Sequence, residues 1–157
     1  MNDLHFAAPR HEMVEEIAQH VRLTSDQIGR ATLAEPVLAA MEKVPRHEFV
    51  PIELRGFAYV HSPLPIGYGK TISQPYMNAL MADLLEAQPD DVVLEVGTGF
   101  GYHAAILAEL VAKVYTIEII EELVDEARKR LEGQGYTNIE MRTGDGSLGW
   151  PEHAPFD

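Results

Sequence analysis

The spacing of hydrophobic residues predicts helices in the first half of the chain. Met13, Ile17 and Val21 recur every four residues, which is typical of the buried face of an amphipathic helix. A second helix is expected to begin near Pro36, because proline is favoured at the first helical position, and to end before Pro45. The side chains expected to face inward from it are Val37, Leu38, Met41 and Val44.

Proline and glycine interrupt this pattern before a third helix. Residues 61–75 contain three prolines and two glycines, which predicts an extended loop. The third helix is expected from about Pro75 to Ala87, with apolar residues at the i, i+3, i+4, i+7 and i+8 positions of one buried stripe. The residues of this stripe are Met77, Leu80, Met81, Leu84 and Leu85.

The second half of the chain alternates between strand-like and helix-like segments. Strands are predicted at residues 92–96, 114–118 and 139–143, and helices at residues 102–111 and 121–132. This βαβαβ order predicts a parallel sheet with right-handed crossovers and the strand order 3-2-1. The predicted fold class is therefore α/β.

The change of pattern suggests two regions. Residues 1–88 form a helical and loop region, residues 89–157 form a sheet region, and we expect both to belong to one folding unit. The first strand, V-V-L-E-V, is apolar on both faces like a central strand, yet the predicted order places it at an edge. The sheet therefore looks truncated after its third strand, and we expect the chain to be a fragment or to be completed from elsewhere.

Composition narrows the classes of function. The 157 residues carry a formal net charge of −13, which argues against non-specific nucleic-acid binding and against binding to anionic lipid. The absence of cysteine excludes disulfides, thiolate metal ligands and cysteine nucleophiles. The acidic N-terminal segment and the charges within residues 103–120 predict neither a secretory signal nor a membrane span. We therefore expect a cytoplasmic protein.

A glycine-rich segment, E-V-G-T-G-F-G at residues 95–101, lies between a predicted strand and a predicted helix. Glycine allows a sharp turn and a close approach of a ligand, while the start of the helix offers free N–H groups. The G-x-G-x-G spacing differs from the G-x-G-x-x-G of dinucleotide-binding proteins. The carboxylate of Glu95 suits a ligand with an ammonium and a sulfonium group, such as S-adenosylmethionine. The alternative is an ordinary glycine-rich turn of a parallel sheet.

Two further acidic residues follow the next predicted strands. Glu118 ends the second strand roughly 20 residues after Gly97, where an acidic side chain can accept hydrogen bonds from ribose hydroxyls. Asp145 lies in a Gly-Asp-Gly turn after the third strand and could accept a bond from an adenine amino group. Because ligands of open α/β sheets bind at the carboxyl ends of strands, Glu95, Glu118 and Asp145 are expected to face one crevice. The alternatives are a solvated carboxylate at Glu118 and a turn residue at Asp145.

Other motifs are less informative. Residues 67–71 resemble the end of a phosphate-binding loop, but Leu64 stands where that loop requires glycine. Ser73 is either the N-cap of the third helix or a hydroxyl at the mouth of an active site. His47 and His61 have no partner pattern and are interpreted as exposed or packing residues. No spacing of His, Asp and Glu indicates a metal site.

A wider pattern is carried by short segments in chain order. They are V-P-R-H-E-F-V-P at 44–51, P-L-P-I-G-Y-G at 63–69, T-I-S-Q-P at 71–75, V-L-E-V-G-T-G at 93–99, V-Y-T-I-E at 114–118, G-D-G at 144–146 and G-W-P at 149–151. Together they resemble the protein-L-isoaspartate (D-aspartate) O-methyltransferase family over nearly all of residues 30–157. The T-I-S-Q-P segment is the most specific of them, whereas the glycine motif occurs in many methyltransferases.

The resemblance implies a class I, Rossmann-like methyltransferase fold that binds S-adenosylmethionine. It implies methyl transfer to the free carboxylate of L-isoaspartyl and D-aspartyl residues in damaged proteins, which initiates their repair. The implied partners are damaged proteins or peptides that contain isoaspartate, without nucleic acid or membrane, and we expect the full-length protein to be a monomer. The open alternatives are a class I methyltransferase for another substrate and an inactive fragment lacking C-terminal strands.

The resemblance also assigns site residues. The active-site hydroxyl of the family maps onto Ser73, with Thr71 as a second catalytic residue and Ile72 lining the same pocket on the cofactor side. The other cofactor contacts map onto Glu95, Gly97, Thr98, Gly99, Gly101, Glu118, Asp145 and Gly146. A carboxylate is already ionised at pH 7, so Ser73 would position the substrate rather than act as a base. Lys70 stands where the family form G-Q-T-I-S-Q-P has glutamine, and we interpret its charge as an aid in attracting the substrate carboxylate.

Overall fold

The computed structural model describes residues 4–157, which fall into two units. The first unit ends at Glu86, and the second is Ala87–Asp157. Residues 1–3, the start of the segment interpreted as unlike a secretory signal, lie outside the described residues. The boundary between residues 88 and 89 and the single folding unit stay predictions. Within residues 4–157, no helix combines the length and the apolar character needed to cross a membrane.

Two of the four α-helices described in the first unit follow the predicted hydrophobic spacing. The four helices are α1 (Leu4–Leu23), α2 (Ser25–Ile28), α3 (Glu35–Lys43) and α4 (Pro75–Leu84). Met13, Ile17 and Val21 are buried on α1, and Val37 and Met41 are buried on α3. These two helices therefore confirm the predicted amphipathic faces, with Val44 buried just after α3 and Leu38 only half-buried.

A β-hairpin replaces most of the predicted extended loop. Strand β1 (Leu64–Gly67) pairs antiparallel with β2 (Lys70–Ile72), and Leu64 lies opposite Ile72. The turn between the strands is closed by positive φ angles at three consecutive residues, 92° at Gly67, 54° at Tyr68 and 68° at Gly69. The prediction of an extended loop over residues 61–75 is wrong here, because the glycines supply the turn of a hairpin.

The buried face of α4 also differs from the predicted stripe. The predicted residues that are exposed are Met77, Met81, Leu84 and Leu85. Only Leu80 of that stripe is buried, and the helix turns Asn78 and Asp83 inward instead. Asn78 accepts a hydrogen bond from Arg46, and Asp83 accepts one from Arg30 at 2.7 Å. The prediction is wrong because these polar residues have charged partners within the unit, which side-chain hydrophobicity does not reveal.

The second unit is a three-stranded parallel sheet with connecting helices. Its elements are β3 (Val92–Val96), α5 (Tyr102–Ala108), β4 (Lys113–Glu118), α6 (Glu121–Gly133) and β5 (Ile139–Thr143). The strand order is β3-β4-β5 and both pairings are parallel, which confirms the predicted order and direction of the strands. Val93 and Val114 are buried on the sheet, and Ile106 and Leu123 are buried on the helices. At the outer side of β3, the Asp157 backbone N–H donates to the Val92 carbonyl at 3.0 Å.

A pair of histidines in the first unit links α1 to the segment before the hairpin. His20 Nδ1 lies 3.1 Å from His61 Nε2, and the His20 ring stacks on Tyr76. Burial lowers the pKa of His61, the neighbouring His20 lowers it further, and Glu16 acts in the opposite direction. A second proton on this pair is therefore resisted in the folded state.

We expect the free energy of unfolding to decrease as the pH falls below about 6.5, the ordinary pKa of histidine. The unfolded chain binds a proton at His61 more readily than the folded chain does. The contribution of His61 to the free energy of unfolding is therefore fully present above the unfolded pKa, and it is lost as the pH falls through the lower folded pKa. Urea unfolding at several pH values measures it. The variant His61→Asn should show a shallower acid dependence, and His5→Asn, at an exposed position, is the control. An unchanged slope in His61→Asn would contradict the prediction.

Candidate functional site

The glycine-rich turn connects β3 to α5. Its glycines all have positive φ angles, 94° at Gly97, 57° at Gly99 and 94° at Gly101. A Cβ atom added at Gly97 would meet no atom within 4 Å, so open space lies in front of the backbone there. The Gly97 N–H donates to the Ile117 carbonyl at 2.8 Å, which fixes the start of the turn to β4. The turn is therefore a shaped backbone with room for a ligand.

Glu95 is buried beside this turn and both of its carboxylate oxygens have partners. Oε1 accepts a hydrogen bond from Thr116 Oγ1 at 2.7 Å, and Oε2 lies 3.0 Å from His103 Nδ1. Thr98 Oγ1 lies 2.6 Å from Thr116 Oγ1 and extends the chain of bonds. Thr98 was among the predicted residues, but Thr116 and His103 were missed. Thr116 lies within the predicted second strand and His103 follows the glycine motif, but neither position signals the contact with Glu95.

Glu118 supports the turn from the end of β4. Its carboxylate accepts the backbone N–H groups of Gly99 at 3.0 Å and Ile120 at 3.1 Å. The residue is only 6% exposed. The alternative of a solvated carboxylate is therefore wrong, and the side chain is held against the backbone of the glycine turn. A carboxylate that accepts two bonds keeps lone pairs for a further donor.

Asp145 is exposed in the turn after β5. Its carboxylate accepts the Ser147 backbone N–H at 2.9 Å and caps a short 3-10 helix, Gly146–Leu148. The hydrogen bonds from Ser147 lower the pKa of Asp145. A Cβ atom at Gly146 would lie 2.2 Å from Val96 Cγ1, so the Val96 side chain at the end of β3 would have to move to admit one. Asp145 is therefore a turn residue, as one of the two interpretations expected, and its contact with the adenine of a ligand stays a prediction.

The three acidic residues lie at one edge of the sheet. Glu95 is opposite Thr116 in the register, Glu118 is the last residue of β4, and Asp145 follows β5. The Gly144 N–H donates to the Glu118 carbonyl at 2.9 Å, which continues the parallel pairing into the turn. This is the edge at which open parallel sheets bind ligands. That the three carboxylates contact one ligand stays a prediction.

The T-I-S-Q-P segment, in the first unit, runs from the last two residues of β2 to the first residue of α4. Ile72 is buried, Ser73 is partly buried and Thr71 is exposed. The N-cap of α4 is Gln74, whose carbonyl accepts the N–H groups of Met77 and Asn78 at 3.1 and 3.2 Å. The N-cap interpretation of Ser73 is therefore wrong. Among the described residues, no hydrogen bond uses the Ser73 hydroxyl.

A fully buried arginine fixes this segment. Arg46 donates from its guanidinium to the Ser73 carbonyl at 2.7 Å, to the Ala58 carbonyl at 2.8 Å and to Asn78 Oδ1 at 3.3 Å. Sequence reasoning missed Arg46, because its partners lie between 12 and 32 residues away and no local spacing marks them. The backbone of Ser73 is thus held by a charge-assisted hydrogen bond.

His47 confirms the interpretation as a packing residue. Its ring is buried, stacks on Phe6 and lies within hydrogen-bond distance of the Tyr59 hydroxyl, 2.8 Å from Nδ1. Within residues 4–157, no group of three or more His, Asp or Glu side chains is arranged to hold a metal ion.

Comparison with protein families identifies the chain. A family model described as protein-L-isoaspartate(D-aspartate) O-methyltransferase matches residues 16–157. The chain belongs to this family. The match includes the T-I-S-Q-P segment, the glycine turn and the Gly-Asp-Gly turn, all of which carried the resemblance seen in the sequence.

Curated relatives of the isoaspartate methyltransferase family align with nearly the whole chain. The chain is 55% identical over 157 residues to protein-L-isoaspartate O-methyltransferase 1 of Polaromonas sp. strain JS666. It is 57% identical over 152 residues to protein-L-isoaspartate O-methyltransferase 2 of Syntrophobacter fumaroxidans. These alignments include 100% and 97% of this chain but only 66% and 62% of the relatives. The chain thus spans less than two thirds of their length.

Solved structures confirm the class I, Rossmann-like methyltransferase fold. A protein-L-isoaspartate O-methyltransferase superposes with a TM-score of 0.78 at 25% identity, over 94% of this chain and 46% of that one. A Plasmodium falciparum protein described as belonging to the same family, solved with S-adenosyl-L-homocysteine, gives a TM-score of 0.62 at 20% identity. That alignment includes 82% of this chain and 62% of the other.

Proposed function

We propose that the protein transfers the methyl group of S-adenosylmethionine to the free carboxylate of L-isoaspartyl and D-aspartyl residues in damaged proteins or peptides. The ester then closes to a succinimide, whose hydrolysis returns some normal aspartate. The observation that carries the proposal is the family match over residues 16–157, which includes both the glycine turn and the T-I-S-Q-P segment.

The residues of the second unit fit the cofactor. Open space in front of Gly97 leaves room for a ligand against the backbone, where a side chain would otherwise stand. Glu95 and Glu118 are buried carboxylates beside the turn, and negative charge there favours a ligand with an ammonium and a sulfonium group. When bound, S-adenosylmethionine supplies an electrophilic methyl group on a positively charged sulfur.

Each candidate residue has a distinct task in this proposal. The backbone of residues 97–101 would hold the amino-acid part of the cofactor, with Thr98 beside it. Glu118 would accept the ribose hydroxyls, and Asp145 with Gly146 would contact the adenine. On the substrate side, the hydroxyls of Ser73 and Thr71 would orient the isoaspartyl carboxylate, and Ile72 would line the same pocket. No proton has to be removed, because the carboxylate is already ionised at neutral pH.

Ser73→Ala is expected to lower kcat/KM for an isoaspartyl peptide about 10- to 100-fold, because a hydrogen bond to a charged group contributes about 1.5–3 kcal/mol. Ser73→Thr keeps the hydroxyl and should retain most of the activity. Ser62→Ala is the matched control, since Ser62 is exposed and its hydroxyl donates to the neighbouring Pro63 carbonyl. Equal rates for Ser73→Ala and Ser62→Ala would remove Ser73 from the mechanism.

Lys70→Gln is expected to raise KM for an isoaspartyl peptide a few-fold at low salt and to leave kcat nearly unchanged. Lys70 is exposed on β2, so the attraction between its charge and an anionic substrate is weakened by dissolved salt. The difference between wild type and variant should therefore shrink as salt is added. A KM that is the same in both proteins at every salt concentration would contradict this role.

Methyl transfer to peptides tests the proposed function. The chain is incubated with labelled S-adenosylmethionine and a peptide containing one isoaspartyl residue, beside the same peptide with aspartate. Labelled ester on the isoaspartyl peptide alone is the expected result. Cofactor binding by calorimetry without ester formation on this peptide would favour a methyltransferase for another substrate. Absence of cofactor binding would contradict the proposal for this chain.

A further inference from the structure

His103 joins the buried carboxylate of Glu95 to α5, the helix that follows the glycine turn. It lies in the first turn of α5, and its side chain is 20% exposed. Nδ1 is 3.0 Å from Glu95 Oε2, whereas Nε2 is buried and has no hydrogen-bond partner among the described residues. A buried polar atom without a partner is costly, so it calls for a ligand or a functional reason.

The hydrogen bond to Glu95 determines whether Nε2 of His103 is a hydrogen-bond donor or an acceptor. A carboxylate accepts hydrogen bonds, so Nδ1 carries the hydrogen, and in a neutral imidazole Nε2 is then an acceptor. Glu95 is held from its other side by Thr116 at 2.7 Å, so the carboxylate is fixed by donors from two elements. His103 and Glu95 together present negative charge and acceptor atoms. A phosphate would be repelled, and a cation that donates hydrogen bonds would be favoured.

We propose that His103 is a positioning residue for the α-ammonium group of the cofactor. It fixes the orientation of Glu95, and its Nε2 accepts a hydrogen bond from the same ammonium group. This inference rests on the proposed function, because it assumes an amino-acid-bearing cofactor at the glycine turn. It adds a residue that the family resemblance does not assign.

The test compares two ligands that differ in the amino-acid part, which carries the ammonium group. S-adenosylhomocysteine carries it, and 5′-methylthioadenosine has the same nucleoside without the amino-acid part. In calorimetry, His103→Leu is expected to raise the dissociation constant of S-adenosylhomocysteine about tenfold and to change that of methylthioadenosine less than twofold. His103→Gln, whose amide offers both a donor nitrogen and an acceptor oxygen, should recover most of the lost affinity. Equal weakening of both ligands would indicate a merely structural role and overturn the inference.

A double-mutant cycle with Glu95→Gln tests whether the two residues act together. The effect of His103→Leu on S-adenosylhomocysteine should be at least threefold smaller in the Glu95→Gln background than in the wild type. If the effects of the two substitutions on the affinity are additive, the proposed coupling between His103 and Glu95 is wrong. If His103→Leu does not fold by circular dichroism, His103→Asn takes its place, since its shorter side chain cannot span the same distance.

Nitrogen NMR of the histidine side chains gives a readout without turnover. The signals of His103, assigned by their loss in His103→Gln, should show the Nδ1–H tautomer and a shift of Nε2 on addition of S-adenosylhomocysteine. An Nε2–H tautomer in the free chain would contradict the inference. If the wild-type chain binds neither ligand, the proposed function fails as well; if it binds both and His103→Leu is unchanged, only the inference fails.

Discussion

Replacement of Arg46 by methionine is expected to lower the free energy of unfolding by about 3–5 kcal/mol, because three acceptors lose their donor at about 1–3 kcal/mol each. The acceptors are the carbonyls of Ser73 and Ala58 and the side chain of Asn78. A loss of this size is a large part of the total stability of a typical small protein. We therefore expect the main effect of Arg46→Met to be unfolding of the first unit rather than a direct effect on catalysis.

Urea unfolding measures this loss, and Arg22→Met is the matched control because Arg22 is exposed on α1. The control should change the free energy of unfolding by less than about 0.5 kcal/mol. Arg46→Lys keeps the charge but not the planar arrangement of donors, so it should recover only part of the stability. Similar midpoints for Arg46→Met and Arg22→Met would show that the buried guanidinium is not an organising contact.

Gly101→Ala is expected to cost about 2–4 kcal/mol of stability through two separate effects. The φ angle of 94° at Gly101 is unfavourable for any residue with a Cβ atom. The new Cβ would also lie 2.9 Å from Cδ1 of Leu131, a buried residue of α6 that must then move. The third glycine of the motif thus allows the start of α5 to pack closely against α6.

Substitutions of two other glycines distinguish the cost of the positive φ angle from the cost of the contact with Leu131. All three variants are compared by thermal or urea unfolding. Gly97→Ala has the same φ angle but open space around its Cβ, so it should show the backbone cost alone. Gly133→Ala has neither a positive φ nor a close contact, and alanine at the end of α6 should be neutral or slightly stabilising. The expected order of destabilisation is Gly101, then Gly97, then Gly133. Equal losses at Gly101 and Gly97 would exclude the contact with Leu131.

Local patterns were enough to predict the parallel sheet and the first helices. The βαβαβ order follows from apolar runs that are separated by helical spacing, and chirality then leaves few topologies. Met13, Ile17 and Val21 lie on one face of α1 because the four-residue spacing and the helical period agree. Such features depend on near neighbours along the chain, so the sequence contains them directly.

Features that depend on distant partners could not be predicted in this way. Asp83 is buried on α4 because Arg30 and the Ala34 N–H bind its carboxylate, and nothing close to it in the chain indicates this. Ranking by hydrophobicity therefore placed Met77 inward, although it is exposed. Arg46 was missed for the same reason, since the Ala58, Ser73 and Asn78 acceptors come from separate segments.

The candidate site shows the same division. The glycine turn and Glu118 follow from spacing after a strand, and the structure places the Glu118 carboxylate on the backbone of that turn. The partners of Glu95 were not predicted, because Thr116 reaches it across the strand pairing and His103 from the next helix. Motif spacing locates the backbone of such a site, whereas the bonds between its side chains depend on the packed structure.

Backbone amide NMR during a titration with S-adenosylhomocysteine tests most directly whether one edge of the sheet binds the cofactor. In the second unit, the largest shifts are expected at residues 97–101, 118–120 and 144–147, which lie at or just after the carboxyl ends of β3, β4 and β5. Shifts that rise together with a single dissociation constant would support one site formed by Glu95, Glu118, Asp145 and the glycine turn. Shifts that leave residues 97–101 and 118–120 unchanged at saturating ligand would contradict it.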